Sequence, residues 1–342
     1  MKKYLFACVF LLAFGHAQAE VGLTELPGPE GDGPISVFYP SSSEDKALQR
    51  GPFALQLAWQ GEAVRGNGRL VIISHGSGGN PWVHTDVART LVQAGFVVAF
   101  PQHRGDHSGQ FTDPGPASWK LRPAEVSRAI DAVGQSPQFA PLLALDKVGV
   151  YGGSAGGHTA LTLAGGRWSP AGLRRHCDAH IADDFSSCVG FITRLRGNIL
   201  DGLKKTVALG VIRQRFDDTS WYSHHDPRIR AAVASVPYAA DFDMASLAVP
   251  RIPLGLVEAR QDINQVPRFH IDAVRAVCAS CTIIADLPSA GHGAMLSPLP
   301  PFKPGTIAAE LLDDPPGFDR SVLPEIDRKI AAFFRQHLLP SP

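Results

Sequence analysis

Gly152-Gly153-Ser154-Ala155-Gly156 constrains this chain more than any other stretch, because of what flanks it. The apolar run Lys147-Val148-Gly149-Val150-Tyr151 precedes it, and the small-residue run Gly157-His158-Thr159-Ala160-Leu161 follows. Strand, glycine-rich turn and helix form the context that a G-x-S-x-G nucleophile elbow requires. So tight a turn forces its serine into a strained backbone conformation. Glycine two residues before and two after lets strand and helix close on each other. The hydroxyl then projects from the end of a sheet, near the positive end of the following helix. In a chain with 34 glycines the motif alone says little; its flanks give it meaning.

Strand and helix signals alternate from Gly68 onward. Residues 70–74, 96–100, 148–151, 231–236, 252–257 and 282–287 are short, continuous apolar runs. Continuous rather than alternating runs suit parallel strands covered on both faces. A helical pattern passes through Ala88, Leu91, Val92 and Ala94, and others cover residues 266–277 and 322–338. Residues 123–133 read as a helix with Pro123 in its first turn, where a missing N–H costs nothing. Residues 35–39 and 53–59 lead in as antiparallel strands. The expected class is α/β, a mostly parallel sheet with helices on both faces.

One stretch resists that alternation. Residues 167–225 are too long for a simple crossover and carry a helical pattern through Ile199, Leu203, Val207 and Val211. They read as a helical lid insertion over the active face, shaping the substrate pocket; the plainer alternative is a surface elaboration. The 342 residues then make one domain, 20–342, with this insertion.

The first residues read as a targeting segment. Lys2 and Lys3 form a positive n-region, residues 4–14 an apolar stretch, and Ala17-Gln18-Ala19 a small-residue cleavage pattern. Residues 1–19 are therefore expected to be a signal peptide that leaves no transmembrane anchor, and the mature chain to be periplasmic or secreted by a bacterium. Cleavage removes Cys8 and leaves Cys177, Cys188, Cys278 and Cys281. An even count in an oxidising compartment reads as two disulfides, with sequence neighbours paired: Cys177 with Cys188, Cys278 with Cys281. A redox Cys278-Ala-Ser-Cys281 pair is disfavoured, because it follows a helix rather than opening one. Lys plus Arg equals Asp plus Glu, at 32 each, so total charge implies no basic face for nucleic acid.

Serine alone is a poor nucleophile and needs a positioned base. His292, in Ser289-Ala290-Gly291-His292-Gly293, follows the run 282–287 with flanking glycines that ease its approach. The base needs an acid to fix its tautomer, and Asp262, just past the run 252–257, is the leading candidate; Glu258 is the alternative. Serine, acid, histidine is then the order along the chain. Acyl transfer also needs donors for the oxygen that turns negative. The N–H of Ala155 supplies one, and the loop His75-Gly76-Ser77-Gly78-Gly79 the second, from Ser77.

Those segments, with Pro101-Gln102-His103-Arg104-Gly105-Asp106, resemble the α/β-hydrolase superfamily. Within it, the chain is similar to predicted dienelactone hydrolases and to platelet-activating-factor acetylhydrolase-like esterases. The resemblance spans the mature chain apart from the insertion. It implies an α/β-hydrolase fold and serine-dependent hydrolysis of a small-molecule carboxylic ester. Ser154 is then the nucleophile, Asp262 the orienting acid, His292 the base and Ser77 the oxyanion residue after the His-Gly pair. Serine stands where dienelactone hydrolases carry cysteine, so no lactone substrate is implied. Ala259 stands where many relatives have glycine. The alternatives are a serine peptidase or amidase with the same triad, and a non-catalytic binding module.

Weaker signals remain. His103, Arg104, Asp106 and His107 cluster beside the expected acyl pocket, where they contact substrate or hold the oxyanion loop. His103 and Trp82 are the side chains expected to bind substrate, with Trp168 and Trp221 as further candidates for pocket or lid packing. His176, Asp178 and His180, with His224 and His225, have spacing that suits a metal, but no complete ligand set emerges. No cofactor and no metal are expected, and oligomeric state is left open.

Overall fold

The computed structural model describes residues 20–29 and 31–340; the expected signal peptide, residues 1–19, lies outside them. Strands β1 (Glu20–Leu26), β2 (Ile35–Ser41), β3 (Lys46–Arg50) and β4 (Phe53–Trp59) open the chain. Then come β5 (Leu70–Ser74), α1 (Thr85–Gln93), β6 (Val97–Pro101), the two-residue strands β7 (Asp106–His107) and β8 (Gln110–Phe111), and α2 (Pro116–Gln135). β9 (Val148–Gly153) and α3 (Ala155–Leu163) flank Ser154. Three helices follow, α4 (Pro170–His180), α5 (Phe185–Val189) and α6 (Asp201–Arg215). The chain returns to the sheet through β10 (Ile229–Ser235), β11 (Leu254–Ala259), α7 (Ile271–Val277) and β12 (Thr282–Leu287), and ends with α8 (Ile307–Leu312) and α9 (Leu323–Leu338).

Ten strands form one mixed sheet in the order β12-β11-β10-β9-β5-β6-β2-β1-β4-β3. From β12 to β6 every pair is parallel; β2 joins β6 antiparallel and carries the N-terminal strands as an extension. Alternation within β5 shows why its run is apolar throughout. Leu70 and Ile72 enter the core beneath α2 and α3, while Val71 and Ile73 enter the core beneath α1 and α9. β5 thus serves two layers, and its residues are apolar on both faces as far as Ser74 at its C-terminal end.

Sequence and structure part company at α2. Pro116, after Gly115 in a left-handed conformation, holds the helix-start position; Pro123 lies in the interior. An interior proline forfeits one helical hydrogen bond. The turn before it nevertheless stays helical because it buries Trp119 and Arg122. Two N-terminal strands, β1 and β3, also escaped notice: β3 is a mostly exposed edge strand without an apolar run. The expected helix over 266–277 is shorter, α7 being preceded by a 3-10 turn at Pro267–Phe269.

Two disulfides, Cys177–Cys188 and Cys278–Cys281, match the expected pairing. The first ties α4 to α5; the second follows α7. Among the described residues, no helix is long and apolar enough to cross a membrane.

Candidate active site

Ser154 sits between β9 and α3 at φ 56°, ψ −117°, a conformation non-glycine residues rarely adopt. The glycines around it are there for space. A Cβ on Gly152 would lie 2.0 Å from Gly156 O, and one on Gly156 would lie 1.8 Å from Ser74 O. Only bare backbone lets α3 start this close to β5 and β9. Val236, at the end of β10, is also left-handed (φ 38°), in a bend beside the serine where Ser154 N–H donates to Ser235 O.

His292 and Asp262 meet that serine. His292 Nδ1 lies 2.6 Å from Asp262 Oδ2, and Nε2 lies 2.9 Å from Ser154 Oγ. The carboxylate accepts from Nδ1–H, which leaves the Nε2 lone pair to accept from the serine hydroxyl. Asp262 Oδ1 accepts from the backbone N–H groups of Asn264 and Gln265, each at 2.8 Å, so both its oxygens are engaged. Asp262 and His292 are almost fully buried. Glu258, the alternative acid, points elsewhere: within β11 it pairs with Arg260 and Arg275.

The loop after β5 brings Ser77 beside Ser154. A Cβ on Gly76 would be only 3.5 Å from Ser154 Cβ. Ala155 opens α3, so its N–H has no helical acceptor and faces the serine end of the sheet. The loop is held from below. Asp106 Oδ1 accepts from Ser77 Oγ at 2.6 Å and Gly78 N–H at 2.9 Å, while Asp106 Oδ2 pairs with buried Arg122 at 2.8 Å. Arg122 also donates to His75 O at 2.5 Å. Burial pushes the Asp106 carboxyl up, but the guanidinium and these donors hold it below the usual range. The Arg122–Asp106 pair fixes the loop without touching the cavity.

The two side chains expected to bind substrate sit behind the site. His103 is fully buried, with Nε2 2.7 Å from Ser74 Oγ and Nδ1 2.5 Å from Glu125 Oε2, and lines neither cavity at Ser154. Burial first, then the nearby Arg122 charge, pushes its pKa well down, so it is a neutral bridge between β5 and α2. Trp82 packs against Phe38 and under the Arg50 guanidinium, while its neighbours Val83 and His84 reach the cavity. Trp168 is buried against Trp119 and His158, and Trp221 packs with Arg167.

The histidines suspected of metal binding disperse. Asp178 pairs with Arg213, and His224 bonds Ser127. His176 instead joins two residues that spacing did not connect to it, Asp184 and His270. Asp184 Oδ2 takes His176 Nε2 at 2.8 Å, His270 Nε2 at 2.9 Å and Ser187 Oγ at 2.6 Å. Ala239 N–H donates to His270 Nδ1 at 3.0 Å, so the proton of neutral His270 is on Nε2. A cation at Nε2 would move that proton to face the Ala239 N–H. The cluster is a hydrogen-bond hub. Its Asp184 Oδ1 accepts from Val266 N–H at 3.2 Å, which ties the three-helix stretch to the loop bearing Asp262. Burial pushes the Asp184 carboxyl up, but its histidine donors hold it well below the usual range.

Gln265, next to Val266, was missed from sequence. Its Nε2 donates to Ser154 Oγ at 3.2 Å, the only orientation consistent with a serine proton directed at His292. Nothing local marks it; it is found only once the acid loop is folded. Two cavities open at Ser154, of about 220 and 780 Å³.

A doubly wound sheet with serine on an elbow after β9, acid after β11 and histidine after β12 is the α/β-hydrolase fold. The structure resembles a ferulic acid esterase from Streptomyces cinnamoneus, with a TM-score of 0.56 and 17% identity over 96% of this chain and 94% of that one. That likeness supports the fold and nothing narrower, dienelactone hydrolases included. No family model and no curated protein matches the sequence.

Proposed function

We propose that the chain is an exported serine hydrolase that cleaves carboxylic esters through an acyl-enzyme. The observation that carries this reading is the unbroken hydrogen-bond chain Asp262–His292–Ser154 at a strained elbow. Ser154 Oγ attacks the ester carbonyl carbon as its proton passes to His292 Nε2. The carbonyl π electrons move onto oxygen, which the N–H groups of Ser77 and Ala155 stabilise. Collapse expels the alcohol oxygen, which takes the proton from His292 and leaves an ester on Ser154. Water, deprotonated by His292, repeats the sequence and releases the acid. Asp262 stays ionised and stabilises the imidazolium.

No step calls for a cofactor. The fold shared with a ferulic acid esterase supports an ester as the substrate. The two disulfides and the N-terminal segment support an oxidising destination, periplasmic or extracellular. The three-helix stretch walls the larger cavity, which supports its role as a lid.

Side-by-side assays of chromogenic esters and peptide amides test the class. Ester turnover should dominate, and Ser154→Ala should lower kcat by at least ~10⁴ with the Tm nearly unchanged, since the hydroxyl bonds only His292 and Gln265 beside the open cavities and holds no element of the fold. Wild-type-like turnover in that variant contradicts the reading.

A further inference from the structure

The two cavities at Ser154 differ in size and in what they expose, and this sorts the halves of an ester. They share only Ser77, Ser154 and Phe191 in their walls. The smaller, about 220 Å³, is lined by His292 together with Val83, Val236, Met295, Leu296 and Phe302. The larger, about 780 Å³, is lined by Ala155 and Gln265 but not by His292. Its walls are Trp119, Leu173 and Tyr238 on one side and Leu203, Val207 and Val211 of α6 on the other.

Reaction geometry then leaves little choice. The leaving oxygen must take its proton from His292 Nε2, so the alcohol occupies the space that His292 lines. With the carbonyl oxygen between the N–H groups of Ser77 and Ala155, the acyl substituent extends the opposite way, past Ala155 and Gln265. We infer that the substrate is an ester of a bulky, apolar acid with a compact alcohol. The acid lies under α6, and the alcohol between the His292 loop and Val236. The larger space is the size of a pocket for a drug-sized ligand and the smaller falls below that range. Phe191, at the end of the α5 segment, stands where the two meet.

This inference rests on Ser154 and His292 acting as proposed, and the test separates the two. Methyl nonanoate and octyl acetate are isomers with the same atoms and opposite placement of the chain. The purified protein should cleave methyl nonanoate with kcat/KM at least ~10-fold above that for octyl acetate, as expected when several methylenes fit one pocket and not the other. Val207→Trp, which narrows the larger cavity, should cut the ratio of methyl nonanoate to methyl acetate turnover by roughly tenfold. Hydrolysis of p-nitrophenyl acetate, compared between wild type and Ser154→Ala, reports on the nucleophile alone. If that hydrolysis does not depend on Ser154, the proposed function fails and the partition with it. If it does, but octyl acetate is cleaved as fast or faster, or neither isomer is cleaved, the partition is overturned and the nucleophile stands.

Discussion

The serine end of the sheet and helix α6 are both part of the cavity walls, yet they are built on opposite terms. Around Ser154 almost nothing is exposed: Arg122 and His103 are fully buried, and Asp106 is held by donors on both its oxygens. Along α6 only Ile212 is buried, while Leu203 and Val207 are more than half exposed. Position is enforced in the first region by backbone crowding and by buried charges that must be paired. In the second it rests on few contacts. The serine end therefore resists substitution, whereas the α6 wall can change its side chains, and with them the lining of the larger cavity, at small cost to stability.

That contrast can be broken at its strongest point by Arg122→Met. The change leaves Asp106 charged, buried and unpaired, and should cost about 3–5 kcal/mol, seen as a large drop in Tm. Because Asp106 holds Ser77 and Gly78, kcat of the surviving fold should fall as well. An unchanged Tm would mean that the buried pair does not organise this region.

A second, smaller effect concerns Asp327 on α9, packed on the opposite face of the sheet from α2. Burial first, then the nearby Asp86 carboxylate, pushes its pKa up to about 7 from 3.8. A carboxyl raised in the folded state binds its proton more tightly there than in the unfolded chain. Its contribution to stability is full below about pH 4 and is lost as pH rises through about 7. Asp327→Asn should therefore melt higher than wild type at pH 8–9, by a margin on the order of a few kcal/mol, and converge with it toward pH 4. A constant difference across that range contradicts the assignment. The smallest effect is expected at α6: Val207→Gln should alter stability by no more than about 0.5 kcal/mol, measured by urea denaturation.

The same contrast explains what could be read from sequence. The elbow was legible because strand, turn and helix are contiguous in sequence: Gly152 must clear the backbone of Gly156 four residues on, although Gly156 itself must clear Ser74 on β5. The parallel strands were legible because each run feeds two apolar layers, as in β5. Ser154, Asp262 and His292 could be named from strand ends and chain order, and their distances came only with the fold. What stayed hidden depends on partners far along the chain. Arg122 acts through Asp106 and Ser77, Asp184 through Val266 and His270, and Gln265 through Ser154; none carries a local pattern. The start of α2 was hidden because the helix carries two prolines: Pro116 holds the helix-start position, and Pro123, seven residues on, lies in the interior. Spacing on α4 set His176 beside Asp178 and His180, whereas the partners of His176 in the fold, Asp184 and His270, stand at the N-terminal edges of α5 and α7.

The most direct test is peptide mapping of the purified protein after exposure to a fluorophosphonate. A nucleophile activated by His292 should carry one phosphonyl group on Ser154, with labelling lost in His292→Ala. A folded protein that takes up no label, or takes it on a different serine, contradicts the account at its root.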